Sequence, residues 1–201
     1  MEPPVETSDQ ERMLRVRAGV PKEREEAFNV LVTKYRTPVV HFLYRMVREP
    51  ALAEELAQEV FLRVYRARKS YKPRAKFSTW LFRIATNVAL NALRDGRMRR
   101  ARESSLEGET EDAGPAMQVA DPGGNVEQRM LEAERQEQIR RAVEALPEKQ
   151  RLAVLLHKYQ EMDYNEIADI LDCSESALKS LLFRAYETLR VRLRPLLGAR
   201  I

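Results

Sequence analysis

An acidic stretch from residue 103 to residue 125 constrains the fold more than any other feature of the sequence. It contains no Lys or Arg, and four Gly and two Pro interrupt it. Its carboxylates are Glu103, Glu107, Glu109, Glu111, Asp112 and Asp121. A segment with so much charge and so few large apolar residues cannot bury a core. We therefore predict a flexible linker over 103–134, which lets two domains move independently and whose last residues belong to a helix starting near Asn125.

Both blocks that flank this linker show the apolar spacing of amphipathic helices. The chain has 201 residues, of which 44% are apolar and 33% are charged, and only seven are Gly. This composition allows a packed core and favours helices over strands. We predict an all-α protein with two small helical domains, over 23–102 and 135–201, after an N-terminal segment over 1–22.

The N-terminus and the cysteine content indicate a soluble protein of the cytoplasm. Residues 1–9 are polar and acidic, unlike a secretory signal. No apolar run approaches the roughly 20 residues that span a bilayer, so we expect no membrane insertion. The single cysteine, Cys173, excludes an internal disulfide and a cysteine-based metal cluster, and fits a reducing compartment.

Helical periodicity is clearest after Pro50, a residue that suits the first turn of a helix. Four apolar residues at steps of four predict one buried stripe, namely Leu52, Leu56, Val60 and Val64. Upstream, Pro38 is expected to kink or restart a helix. Downstream, a basic loop over 69–76 precedes a helix that Ser78 or Thr79 opens and that Asp95-Gly96 ends or loosens.

The region between residues 63 and 102 is strongly basic and contains the only Trp of the chain. One acid, Asp95, stands against thirteen cations: Arg63, Arg66, Arg68, Lys69, Lys72, Arg74, Lys76, Arg83, Arg94, Arg97, Arg99, Arg100 and Arg102. Aromatic rings among cations suit single-stranded nucleic acid, because bases stack on rings while Lys and Arg follow phosphates. The alternative is that Trp80 and its neighbours Phe77 and Phe82 pack in the core.

The C-terminal block predicts a helix-turn-helix. A short amphipathic helix over 164–171 is followed by a turn, Asp172-Cys173-Ser174, in which Ser174 is the expected N-cap. A longer basic helix then runs from Glu175 to about Leu193. Early residues of such a second helix face the major groove of DNA. The alternative is an ordinary pair of antiparallel helices with a solvated basic face.

Catalytic chemistry finds little support in the sequence, and we expect neither an enzyme nor a cofactor or metal. The two histidines, His41 and His157, lie in separate blocks within amphipathic helices. No pair of His or Cys has metal-ligand spacing, and no glycine-rich phosphate loop is present. Cys173 is expected to be a small packed side chain rather than a nucleophile.

Three motifs in order resemble those of the extracytoplasmic-function (ECF) sigma factors, the smallest two-domain members of the bacterial sigma-70 family. The first is Ala53-Glu54-Glu55-Leu56-Ala57-Gln58-Glu59-Val60-Phe61, and the second is Phe77-Ser78-Thr79-Trp80-Leu81-Phe82-Arg83-Ile84-Ala85-Thr86-Asn87. The third combines Leu146-Pro147-Glu148-Lys149-Gln150-Arg151, Tyr164-Asn165-Glu166-Ile167-Ala168 and Ser174-Glu175-Ser176-Ala177-Leu178-Lys179-Ser180. The resemblance runs from about Ala27 to Leu193, apart from the linker.

The resemblance implies two functional surfaces in the first domain, which is similar to the sigma-2 domain. One docks on the clamp helices of the RNA polymerase β′ subunit and comprises Glu55, Gln58, Glu59 and Leu62. The other reads and opens the −10 promoter element, with a base flipped into a pocket made by the loop over 70–76. Its residues are Ser70, Lys72, Arg74, Lys76, Trp80, Arg83, Asn87, Asn91 and Arg94.

The second domain is similar to the sigma-4 domain, which reads the −35 element and, by resemblance, meets the polymerase β flap. The implied −35 residues are Ser176, Lys179, Ser180, Phe183 and Arg184. Where many relatives have Arg-Ser-Arg, this chain has Lys179-Ser180-Leu181. Lys cannot make the bidentate contact that Arg makes to guanine. Tyr186 likewise replaces a common Arg, which removes a phosphate contact.

The resemblance thus implies a non-enzymatic initiation factor that binds core RNA polymerase and promoter DNA, duplex and single-stranded. An anti-sigma factor that covers these surfaces is its expected regulator. The alternative is a stand-alone helix-turn-helix regulator, whose first domain is a sensor or a dimeriser. The two differ in whether promoter binding requires core polymerase.

Overall fold

The computed structural model describes the backbone of residues 8–103 and 126–198, and the side chains of 8–96 and 129–196. Of the linker predicted over 103–134, residues 104–125 lie outside the described residues. The chain divides into two compact units, Met1–Asp112 and Ala113–Ile201. Every regular element in the described ranges is helical, which confirms the predicted all-α class with two small domains. The finer boundaries, 23–102 and 135–201, stay predictions.

Within its described residues, 8–103, the first unit contains four α-helices and one short 3₁₀ helix. The α-helices are α1 (Asp9–Ala18), α2 (Pro21–Val47), α3 (Pro50–Arg66) and α4 (Phe77–Glu103), and the 3₁₀ helix is Ala67–Ser70. Pro21 and Pro50 each begin a helix, where the missing N–H has no intrahelical partner to lose. At the start of α1, Ser8 and Glu11 form a reciprocal capping box.

The core of the first unit lies where α2, α3 and α4 meet, with α1 packed against α2. Phe42 and Phe82 meet there edge to face, with ring centroids 5.4 Å apart. On α3 the predicted stripe is only half right. Val60 and Val64 are fully buried, but Leu52 and Leu56 are half-buried. Ala53 and Ala57 are buried instead, because small side chains let the neighbouring helix approach closely, and Phe61 is buried one turn after Ala57.

Neither Pro38 nor Gly96 ends a helix. Pro38 lies inside α2, which continues through it as one helix, so the expected restart is absent and the expected kink stays a prediction. Likewise α4 does not end at Gly96 but continues to Glu103, so the expected end was wrong and the expected loosening stays a prediction. A glycine inside a helix costs about 1 kcal/mol relative to Ala, and the helix-favouring residues on both sides of Gly96 outweigh this.

The second unit contains α5 (Val126–Glu144), α6 (Glu148–Tyr159), α7 (Tyr164–Leu171) and α8 (Glu175–Gly198). α8 packs on α5, α6 and α7. The start of α5 agrees with the expected helix start near Asn125, so residues 126–134 are helical although they were assigned to the linker. The large side chains that are fully buried in its core include Leu152, Leu155, Leu156, Ile167 and Leu178.

α7 and α8 form the predicted helix-turn-helix. Asp163 caps α7 through a capping box with Glu166. Asp172 then turns the chain with a left-handed backbone, at φ 51°, a conformation that Asp adopts more readily than most residues. Ser174 Oγ accepts a hydrogen bond from the Ala177 amide at 3.2 Å, which confirms it as the N-cap. Cys173 is exposed because this turn projects it away from the core, so its expected packing was wrong.

Candidate nucleic-acid interface

The aromatic side chains around Trp80 form a cluster at the edge of the first core. Tyr71 and Phe77 are almost fully buried and Trp80 is half-buried. The Trp80 ring lies 4.9 Å from that of Tyr71 and 6.1 Å from that of Phe77, centroid to centroid. Tyr35 of α2 also belongs to the cluster, in an edge-type contact with Phe77 whose ring centroids are 5.3 Å apart. These rings are therefore chiefly packing groups that fix the start of α4.

Exposed cations lie on the segment just before this cluster. Lys72, Arg74 and Lys76 are exposed, and the Arg74 amide donates to the Lys72 carbonyl at 2.8 Å, which makes the segment a tight turn. Ser70 is also exposed, but its hydroxyl donates to the Ala67 carbonyl at 2.8 Å. We call residues 71–76 the basic loop. It presents positive charge around the edge of the aromatic cluster.

A polar stripe on α4 continues from the basic loop. Arg83, Asn87, Asn91 and Arg94 are spaced by four, four and three residues, which places them on one helix face. Arg83, Asn87 and Arg94 are exposed and Asn91 is half-buried. Arg94 Nη2 donates to the Asn91 side-chain oxygen at 3.2 Å, which orients the Asn91 amide. Two amides and two guanidinium groups in line can meet base edges and phosphates together.

A second surface lies on α3, where Glu55, Gln58, Glu59 and Leu62 share one face. Leu62 is 50% exposed, an unusual position for a large apolar side chain next to carboxylates. Glu59 accepts a hydrogen bond from Arg63 Nε at 2.6 Å, and this bond holds the pKa of Glu59 below its usual value. We call these four residues the α3 face. An apolar centre inside a polar rim is typical of a protein-binding surface.

The third surface is the exposed face of α8, the second helix of the helix-turn-helix. Ser176, Lys179, Ser180, Phe183 and Arg184 are all exposed and share this face. Phe183 is 67% exposed, which a partner surface would explain better than solvent. Lys179 pairs with Glu175 one turn earlier, and this contact raises the pKa of the Lys179 ammonium. Lys179 is thus held as a cation at the N-terminal end of the helix.

Two family models match this chain, and together they cover more than half of it. The model of Sigma-70 region 2 matches residues 31–99, and that of Sigma-70 region 4 matches 136–189. The ECF RNA polymerase sigma-E factor of Escherichia coli (strain K12) is 34% identical over 180 residues, which cover 89% of this chain and 92% of the relative. The chain belongs to the ECF sigma factors of the sigma-70 family. The RNA polymerase sigma-H factor of Pseudomonas aeruginosa is 32% identical, covering 94% of this chain and 95% of the relative.

Two solved structures share the fold of this sigma factor. The sigma factor RpoE of Bartonella quintana, solved with the anti-sigma factor NepR, aligns with a TM-score of 0.66 over 83% of this chain and 96% of that chain, at 22% identity. CnrH, solved with the cytosolic domain of CnrY, gives a TM-score of 0.62 over 97% of this chain and 100% of that chain, at 19% identity.

Sequence reasoning missed the contribution of α1 to this sigma factor's basic loop. Gln10 Nε2 donates to the Ala75 carbonyl at 2.6 Å, and Arg17 Nη1 donates to the Tyr71 carbonyl at 3.2 Å. The only sequence signal was Ser8, whose capping box with Glu11 predicts the start of α1. The sequence pattern does not show which distant backbone carbonyls the Gln10 and Arg17 side chains contact.

Neither a metal centre nor a membrane span can be built from the described residues. In ranges 8–96 and 129–196, no three His, Cys, Asp or Glu side chains converge as metal ligands would. No helix in the same ranges combines the length and the hydropathy needed to cross a bilayer.

Proposed function

We propose that this sigma factor binds core RNA polymerase, recognises the −10 and −35 promoter elements with its two units, and melts the −10 region. One observation carries the proposal. Each unit presents its own exposed polar helix face, the α4 stripe with the basic loop in the first and the α8 face in the second. Two separate reading surfaces fit two separate DNA boxes.

The −10 function depends on the basic loop and the α4 stripe. A base extruded from the duplex costs a few kcal/mol, which pocket contacts and stacking must offset. The loop over 70–76 places cations beside buried aromatic rings, so a flipped base would contact tightly packed rings with positive charge nearby. Asn87 and Asn91 then read neighbouring bases, and Arg83 and Arg94 follow the phosphates.

The −35 function depends on the α8 face. A recognition helix reads the major groove with residues near its N-terminus, where Ser176, Lys179 and Ser180 lie. Phe183 would make apolar contact with thymine methyl groups, and Arg184 would contact phosphate or base. The part of the predicted linker that precedes α5 would let the two units adapt to the promoter spacing.

The α3 face is the proposed contact with the β′ clamp helices, and the second unit would meet the β flap. The solved complexes of RpoE with NepR and of CnrH with CnrY suggest a comparable partner here. We infer that an anti-sigma factor regulates this protein by covering its polymerase-binding surfaces.

The experiment is transcription in vitro from a library of randomised promoters, with purified core polymerase and the full chain. We expect selected −10 and −35 motifs, and permanganate-reactive thymines in the −10 region only when core polymerase is present. The alternative, a stand-alone helix-turn-helix regulator, requires a specific footprint by the free chain. A footprint without polymerase, together with no melting in its presence, would refute the sigma-factor mechanism.

A further inference from the structure

Helix α1 lies outside the matched region 2, which begins at residue 31, yet it contacts the basic loop directly. We propose that Gln10 and Arg17 are positioning residues, which hold the basic loop in the shape that reads the −10 element. The inference rests on the proposed function of that loop and assigns part of its specificity to a helix that never needs to touch DNA.

The two hydrogen bonds from α1 reach opposite ends of the loop. Arg17 binds the carbonyl of Tyr71, the first loop residue, and Gln10 binds the carbonyl of Ala75, the fifth. The donors are 54 and 65 residues away in sequence from their acceptors. Between these anchor points the cations Lys72 and Arg74 are exposed and point away from the core. The backbone of the basic loop is therefore fixed at both ends, while its cationic side chains stay accessible.

α1 is itself held firmly, which a positioning element requires. Met13 and Val16 are fully buried beneath it. At its first residue, Asp9 accepts hydrogen bonds from Tyr35 Oη at 2.7 Å and from Lys34 Nζ at 2.5 Å, both on α2. The Tyr35 ring in turn lies against Phe77, the first residue of α4. One chain of contacts thus ties α1 to the helix that carries the polar stripe.

A loop fixed before DNA arrives loses less conformational entropy on binding, which is how preorganisation raises affinity. Loss of one such hydrogen bond should let the loop sample other conformations and lower the share that can accept a base. One net hydrogen bond corresponds to about a five-fold change in such a population. The change should fall on −10 reading rather than on folding, because Gln10 is half-buried and Arg17 is exposed.

The test uses the full chain assembled with core polymerase, on the −10 motif selected from the promoter library. Gln10→Met and Arg17→Met keep an unbranched side chain but remove the donor. Arg15→Met is the matched control, because Arg15 is exposed on the same helix and its loss changes the net charge equally. Arg17→Lys restores a donor. Open complexes are counted by permanganate reactivity on the selected motif and on point variants of it.

We expect Gln10→Met and Arg17→Met to lower open-complex formation on the selected motif by about five-fold each, and to flatten the preference among −10 variants. Melting temperature and polymerase affinity should match the parent, Arg15→Met should behave as the parent, and Arg17→Lys should recover part of the preference. An unchanged −10 preference would overturn the proposal. An equal loss of open-complex formation on every −10 sequence, together with a lower melting temperature, would also overturn it. That outcome would mean that Gln10 and Arg17 only stabilise the fold.

A loop variant separates this inference from the function on which it rests. Arg74→Met removes a cation from the basic loop itself. If Arg74→Met alters the −10 profile while the two α1 variants do not, only the positioning role fails. If neither the loop nor the α1 variants change the profile, the loop does not read the −10 element, and the proposed function of the loop falls together with this inference.

Discussion

The hydroxyl of Tyr186 lies 2.7 Å from Nδ1 of His157, so a side-chain hydrogen bond joins helix α8 to α6. The rings of His157 and Tyr164 are 5.4 Å apart, and Lys158 Nζ lies 5.9 Å from the centre of the Tyr186 ring. The Tyr186 side chain therefore faces its own domain, and its bond to His157 restrains α8 against α6.

The pair makes the stability of the second unit depend on pH. Burial lowers the pKa of His157, and the nearby Lys158 lowers it further. The unfolded chain, with a histidine pKa of about 6.5, then binds a proton before the folded chain does. Stability therefore rises with pH in this range, and it falls when the pH drops below about 6.5.

We expect the melting temperature of His157→Gln to fall less than that of the parent when the pH is lowered, because glutamine does not titrate but can still bond to Tyr186. The measurement compares melting temperatures at about pH 7.5 and about pH 5.5, on either side of the unfolded value. His41→Gln, in the first unit, is the matched control. An identical pH dependence in His157→Gln and the parent would contradict the assignment.

Tyr186→Phe should destabilise the second unit by about 1 kcal/mol through the lost hydrogen bond, and leave the −35 preference unchanged. Urea unfolding measures the first effect. The only Trp, Trp80, lies in the first unit, so its fluorescence transition should not move, whereas the circular dichroism transition of the second unit should shift to lower urea. A changed −35 profile would mean that the hydroxyl also meets DNA.

Substitutions in the α3 face should weaken polymerase binding and leave the fold intact. Replacing Gln58 and Glu59 together by Ala, or Leu62 by Ala, should weaken binding to core polymerase by about ten-fold, since residues at the centre of an interface cost the most binding energy when they are truncated. Glu59 is bonded to Arg63 on its own helix, so its removal also frees a cation on this face. The measurement is a titration with labelled core polymerase.

The control for the α3 face is Glu25→Ala, which removes an exposed carboxylate from α2. It should bind core polymerase like the parent. Equal affinities for all variants, with unchanged circular dichroism, would place the polymerase contact elsewhere on the molecule.

Local signals in the sequence predicted the elements well and their tertiary contacts poorly. The turn at Asp172–Ser174 and the N-cap at Ser174 followed from residue chemistry, because a cap depends only on its neighbours. The sequence predicts that Asp95-Gly96 ends or loosens the helix, but α4 continues past Gly96 because the helix-favouring residues around it outweigh the cost of one glycine. Which residues of a long chain meet cannot be derived from periodicity. Gln10 is an ordinary polar residue until packing brings it to Ala75, 65 residues away.

Helical periodicity also could not assign functions to the site residues. Spacing placed Asn87 and Asn91 on one face, and the structure shows that face to be polar and largely exposed. Exposure alone does not assign a ligand. The pairing of Lys179 with Glu175 was also not predicted from the sequence, although the two stand four residues apart, because Lys179 was treated only as a DNA contact.

Asn87→Ala should impair the reading of the −10 element more than general DNA affinity. The amide is exposed and can offer both a donor and an acceptor to one base. We expect a loss of about ten-fold on the selected motif, as for one lost base contact, and a smaller loss on unrelated sequences. Competition between promoters in vitro measures the ratio. Asn29→Ala, at an exposed position of α2, is the matched control, and an equal loss on all sequences would count against base reading.

Lys179→Arg should sharpen the −35 preference toward guanine at one position. Arg can bind the guanine O6 and N7 together, whereas Lys offers a single point charge. The partner Glu175 competes for either side chain, but an exposed pair within a helix is weak compared with a bidentate base contact. The DNA contact should therefore win, with a gain of about ten-fold for guanine over the other bases at that position. Transcription from a library randomised over the −35 element gives the profile, and Lys158→Arg on α6 controls for the added guanidinium. A profile identical to that of the parent would mean that Lys179 does not meet a base edge, and that the −35 preference comes from Ser176, Ser180, Phe183 or Arg184.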